Sequence, residues 1–167
     1  DGGGSVTLSG CTLSGNVGTL AGAAVAVSRS GSLLISDSTL SSNTFGSGQL
    51  GAMTFGGAVF TYDSSKCDSA DVSASDRANL GCDTYGYGLT RVTVRSSSFD
   101  SNAGWFASGA ITADYLVVED SNFTSNSAQT VAGGAVSCKS CTLTGCTFTS
   151  NTDLVLYGGA LATREVN

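Results

Sequence analysis

The chain has 167 residues, enough for one domain with a sizeable core, and 41% of them are apolar while only 12% are charged. Its net charge is −6, and its seven basic residues are mostly scattered, so no phosphate-binding stripe forms and a nucleic-acid partner is disfavoured. Histidine is absent, which removes the common Cys/His zinc patterns, and no run of 18 apolar residues is present to cross a membrane as a helix.

The opening, DGGGSVTL, carries neither an initiator Met nor a signal peptide, and it reads as part of a processed segment of a longer secreted polypeptide. The first element, VTLSGCTLSGN, ends at Asn16. Within it Val6 and Leu8 share one face, as do Cys11 and Leu13, which is the period of a strand, and Ser9-Gly10 turns the chain between the two pieces. A variable stretch and a small-residue strand, GAAV at 22–25, follow. The second element, LLISDSTLSSN, repeats the pattern to Asn43 and leads to GGAV at 56–59.

Residues 61–88 break the pattern and read as a long loop leaving at a corner. Cys67 and Cys82 bracket its middle, and a bridge between them would stabilise the loop by about 3 kcal/mol on the chain-entropy model. Its aspartates Asp63, Asp68, Asp71 and Asp76 are weak candidates for calcium, since their spacing matches neither an EF-hand nor a nonapeptide repeat. The competing reading is a solvated acidic loop. The pattern resumes with VTVRSSSFDSN to Asn102, LVVEDSNFTSN to Asn126 and CTLTGCTFTSN to Asn151. The strands SGAI, GGAV and GGAL follow these at 108, 133 and 158, at intervals of 25 residues.

A unit of that length holds about three short strands and three corners and cannot bury its apolar face alone. Stacked neighbours close the core, so the expected fold is all-β, a single-stranded parallel β-helix of about five coils of about 25 residues. Residues 1–167 form one such segment with the insertion at 61–88. Helical solenoids fit badly with this much Gly and Ser, and a β-sandwich would not place identical anchors at fixed offsets. Asn16, Asn43, Asn102, Asn126 and Asn151 are expected to take the left-handed conformation at a tight corner and to bond amide to amide as a ladder. Thr39, Ser98, Asn122 and Thr147 are expected to face outward.

The motifs FDSN, FTSN and FTSN at 99, 123 and 148, with GGAV and GGAL beside them, match an FxxN and GGA[ILV] pairing. In this the chain resembles the repeats of chlamydial polymorphic outer membrane proteins, which are autotransporter passengers, and similar right-handed β-helix surface proteins. The resemblance covers nearly all of the chain except 61–88. It implies a right-handed coil, a secreted or surface-exposed location and a role in adhesion.

Six cysteines in an acidic, Ser/Thr-rich chain favour disulfides and an oxidising compartment. Cys138-Lys-Ser-Cys141 spans a corner between two strands, where a structural disulfide or unpaired thiols fit better than redox work. Cys11 and Cys146 share one ladder position four coils apart, roughly 19 Å, too far to bridge. They are either buried thiols or partners for cysteines in a neighbouring coil.

Asp100, Asp114, Glu119, Asp120, Asp153 and Glu165 fall at different offsets, so they read as surface charge rather than a catalytic pair, with Arg91 and Arg95 pairing such acids. Trp105-Phe106, Tyr85 and Tyr87 either cover a corner of the core or stack on sugars or a partner protein. Asn122-Phe-Thr is the sole N-glycosylation sequon.

The functional expectation is a non-enzymatic extracellular structural solenoid, a rod or filament segment of a surface appendage, sheath or wall. It has no cofactor, and its partners are neighbouring coils or subunits. A cell-surface adhesin or carbohydrate-binding module, meeting glycans or surface proteins, is the alternative. A polysaccharide lyase or hydrolase is the third.

Overall fold

The computed structural model describes residues 4–18, 22–28, 31–46, 57–62, 90–105, 107–129, 133–154 and 158–163. All regular elements among them are strands. The first coil holds β1 (Ser5–Ser9), β2 (Thr12–Ser14), β3 (Val17–Gly18) and β4 (Val25–Ser28). The second holds β5 (Ser32–Ser36), β6 (Thr39–Ser41), β7 (Thr44–Phe45) and β8 (Val59–Tyr62). The third holds β9 (Arg91–Arg95), β10 (Ser98–Asp100) and β11 (Ala103–Gly104), then enters β12 (Ile111–Glu119), which runs on into the fourth. The fourth continues through β13 (Asn122–Thr124) and β14 (Ser127–Ala128) into β15 (Val136–Thr144). The fifth closes with β16 (Thr147–Thr149), β17 (Thr152–Asp153) and β18 (Leu161–Thr163).

All strand pairings are parallel and join strands one coil apart. One sheet follows β1-β5-β9-β12-β15-β18, and a second follows β2-β6-β10-β13-β16. The third face is carried by β3-β7 and then β11-β14-β17. The five rungs of the second sheet make four complete turns and most of a fifth. Register follows the sequence repeat: Val6, Leu33, Val92, Leu116 and Cys141 stack, as do Leu13, Leu40, Phe99, Phe123 and Phe148. A one-residue slip would turn every one of these side chains outward, which is why the register is unambiguous.

The corners differ in detail from the sequence expectation. The left-handed residue is the one before each ladder Asn, not the Asn itself. Ser42, Ser101, Ser125 and Ser150 have φ between 53° and 54°, and Gly15 has φ 65°. Placing the strained turn one residue earlier lets the Asn side chain fall inward, where its amide meets its neighbours. A second left-handed column sits at the preceding corner: Gly10, Asp37, Ser96, Asp120 and Gly145.

A third corner is tighter still. A methyl group on Gly109 would run into the carbonyl oxygen of Gly134, and one on Gly134 into those of Gly159 and Thr152. Only glycine lets the backbones of successive coils approach this closely.

Two boundaries also move. Thr61 and Tyr62 belong to β8, Tyr62 pairing with Ser28, so the insertion starts after Tyr62 rather than at residue 61. Cys138 and Cys141 lie within one strand, β15, rather than across a corner between two. Pairing with β12 flanks Lys139, with Ala113 opposite Cys138 and Tyr115 opposite Ser140. The inward–outward alternation breaks at Lys139-Ser140, both exposed, and this turns both cysteines toward the interior.

The core is graded along the axis. Leu33, Ile35, Leu40, Val92, Val94, Phe99, Leu116, Val118 and Phe123 are no more than 1% exposed. Their equivalents in the end coils, Leu8, Leu13, Leu143 and Phe148, are only partly buried, and Val6 is 40% exposed. Phe99, Phe123 and Phe148 stack nearly parallel, with centroids 5.0 and 4.8 Å apart.

Candidate functional site

The most ordered polar feature is a ladder of side-chain amides inside the corner. Asn43 Nδ2 donates to Asn102 Oδ1 at 2.9 Å, Asn102 Nδ2 to Asn126 Oδ1 at 2.9 Å, and Asn126 Nδ2 to Asn151 Oδ1 at 3.0 Å. Asn16 opens the series, donating to Asn43 Oδ1 at 2.8 Å. Each receiving Oδ1 also accepts the backbone N–H of the preceding Asn, at 2.9–3.1 Å. The second hydrogen of each Nδ2 goes back one coil, to the carbonyls of Leu13, Leu40, Phe99 and Phe123. Asn43, Asn102 and Asn126 are fully buried, and their side chains are fully satisfied.

The ladder therefore has a direction. Every side-chain carbonyl faces the preceding coil, and one hydrogen of each linking Nδ2 faces the next. Among the described residues, Asn16 Oδ1 accepts nothing, and Asn151 Nδ2 has one hydrogen left after Phe123.

A parallel ladder of small residues lies two positions into the turn. Ser38 Oγ accepts from Cys11 N–H, Ser97 Oγ from Ser38 N–H, and Ser121 Oγ from Ser97 N–H. Each hydroxyl donates in turn to the carbonyl two residues back, at 2.7 Å. Cysteine replaces serine only at the two ends of this ladder, Cys11 and Cys146, both free thiols and both half-buried. Cys138 and Cys141 form a disulfide, with Cα atoms 6.0 Å apart.

The outer surface carries an acidic groove that the sequence reading missed. Asp37, Ser96 and Asp120 occupy the same left-handed corner in consecutive coils and line a shallow open groove with Thr39, Ser98 and Asn122. Asp37 and Asp120 stand two strand spacings apart, roughly 10 Å. The signal was present: Asp37 lies six residues before Asn43, as Asp120 does before Asn126. The reading of the acids as unstacked left Asp37 out.

The other candidates are dispersed. Asn122 is exposed in β13 on the groove's rim, and Thr39 and Thr147 beside it are exposed while Ser98 is half-buried. Arg95 Nε bonds Glu119 Oε2 at 2.8 Å across adjacent coils. Both side chains are well exposed, so the pair contributes at most about 1 kcal/mol. Asp114 is buried in β12, while Asp100 and Asp153 are partly buried on other strands. Trp105 is 43% exposed and packs edge-on against Phe45, with centroids 5.4 Å apart. Cys67, Cys82, Asp63, Asp68, Asp71, Asp76, Tyr85, Tyr87, Phe106 and Glu165 lie outside the described residues. Among the described residues no three of Cys, Asp and Glu gather as a metal site, and no helix is long and apolar enough to cross a membrane.

No curated protein and no solved structure matches the chain. The family model described as the right handed beta helix region matches residues 1–165, nearly the whole length. With the parallel coils, the stacked register and this match together, the chain belongs to the right-handed β-helix region family.

Proposed function

We propose that this chain is a non-enzymatic extracellular structural solenoid, a rod or filament segment of a cell-surface appendage, sheath or wall. The observation that carries this reading is the set of ladders running the whole axis. Amides, hydroxyls and aromatic rings repeat coil after coil along the described residues. Edge strands of this kind are templates for further pairing. The Cys138–Cys141 disulfide supports an oxidising compartment.

The test is light scattering and negative-stain imaging of the full chain under reducing conditions. The expected result is particles that lengthen along one axis as concentration rises, at constant width. Compact monomers at every concentration would sink the reading.

Adhesion to glycans is the second reading, favoured by the exposed ring of Trp105 and by the likeness to surface-protein repeats. It predicts retention on a glycan array that is lost on Trp105→Ala. A polysaccharide-cleaving role would fall to Asp37 and Asp120, the carboxylates that share a groove. Turnover of an acidic polysaccharide that Asp120→Asn abolishes would favour it over both.

A further inference from the structure

The outer face of the second sheet is built from two columns of small polar residues. One runs Thr12, Thr39, Ser98, Asn122 and Thr147, and the other Ser14, Ser41, Asp100, Thr124 and Thr149. Ser or Thr fills the first column in every coil but the fourth, where Asn122 stands. Threonine suits a strand and asparagine is depleted from strands, so the fold itself gives no reason for the exchange. Asn122 is exposed, and its backbone N–H donates to Ser97 O. Its side-chain amide has no partner among the described residues and takes no part in the buried ladder. Strand alternation puts Thr124 on the same face, two residues on, with Phe123 turned into the core between them. Asn-x-Thr is the acceptor pattern for N-glycosylation, and here the core needs only its middle side chain.

We propose that Asn122 carries an N-linked oligosaccharide, with its first sugar at the rim of the acidic groove. The inference rests on the extracellular location in the proposed function and is independent of assembly into a rod.

The ladder asparagines supply a second observation. A sugar on Asn43, Asn102 or Asn126 would have to enter the core. Two residues after the five ladder asparagines stand Gly18, Phe45, Gly104, Ala128 and Asp153, so none of them is an acceptor. Hydroxyls do occur one residue after, at Thr44, Ser127 and Thr152, yet never at the position that would mark a buried Asn for modification. The one asparagine of the repeat outside the ladder has its hydroxyl there. Space is available as well. Asn122 borders an open groove of about 420 Å³ whose other lining residues include Asp37, Ser96, Ser98 and Asp120, all able to bond sugar hydroxyls.

Transfer joins Asn122 Nδ2 to the anomeric carbon of a lipid diphosphate-linked oligosaccharide. The bond from that carbon to the diphosphate oxygen breaks, the lipid diphosphate leaves with the electron pair, and the amide nitrogen loses one proton. Nothing is oxidised or reduced.

The experiment uses the full chain behind a secretion leader, translated with microsomal membranes and, separately, secreted from insect cells. Gel mobility is read before and after peptide N-glycosidase, and release in heavy-oxygen water followed by peptide mass spectrometry marks the modified residue. Wild type and Thr124→Ser are expected to carry one glycan at Asn122. Asn122→Thr and Thr124→Ala are expected to carry none. Asn122→Thr and Thr124→Ser give the rung residues that other coils already carry, so both fold.

A wild type that stays bare with microsomes overturns the proposal, whether or not the chain is secreted. So does a mobility shift that survives Asn122→Thr, or a glycan that forms with microsomes and is missing from every secreted molecule. Bare Asn122 on rods that lengthen with concentration overturns this inference alone. Glycosylated Asn122 on compact monomers overturns the rod and leaves the modification standing.

Discussion

Asn102 shows how much one side chain does here. Its amide makes four bonds: two accepted from Asn43 and one donated each to Asn126 and Leu40. None of the partners reaches water, so truncation leaves several buried polar groups unpaired. Asn102→Ala is expected to destabilise the fold by about 3 kcal/mol or more, at about 1–3 kcal/mol for each group that stays unsatisfied. Asn16→Ala is expected to cost under about 1 kcal/mol, because Asn16 is exposed and solvent replaces what it loses. Paired denaturation curves of the two variants check the contrast. The five asparagines were legible at fixed offsets, since a repeated polar residue inside an apolar repeat has to answer to its own copies. That the preceding serine takes the left-handed turn was not legible. Serine has no special claim to that conformation, and it is held there at roughly 1–2 kcal/mol by the inward bonds of the Asn that follows.

At the scale of the element, each strand is too short to persist alone and is defined by what stacks on it. The second sheet shows this best, where three-residue strands survive because Phe99, Phe123 and Phe148 form one column of rings. Phe123 is sandwiched and fully buried. Phe123→Ala is expected to cost about 3–5 kcal/mol through transfer and cavity terms, and Phe148→Ala distinctly less because its outer face is already open. Thermal melts of both variants, read by circular dichroism, provide the check. Strand existence and spacing followed from the period-2 pattern. Strand boundaries did not: β12 and β15 each run as one strand because pairing with the adjacent coil resumes on both sides of Asp114 and Lys139, and that pairing joins residues far apart in the chain.

For the whole molecule, stability is a sum over coils and the interfaces between them. Coils two, three and four are covered on both sides, and coils one and five on one side only among the described residues, which matches the gradient in burial from Val94 to Val6. Amide hydrogen exchange is therefore expected to be slowest in β5, β6, β9, β10, β12 and β13 and fastest in β1, β2, β16 and β17. Uniform protection along the axis in the dilute protein would mean that the ends are covered. Under conditions that favour end-to-end contact, protection is expected to spread to the end coils first.

Taken by itself, the sequence determined the parallel coil, its register, its inward and outward faces and the columns of like residues. All of these follow from apolar residues recurring at spacing two inside a unit that cannot close its own core. Tertiary structure decided which residue takes each strained corner, that Cys138 and Cys141 face the same way within one strand, and that Asp37 and Asp120 share a groove. It also decided the direction of the amide ladder. An asparagine side chain has a donor end and an acceptor end, and only its hydrogen bonds across coils fix which way it points. That direction makes the two faces of each coil complementary rather than alike.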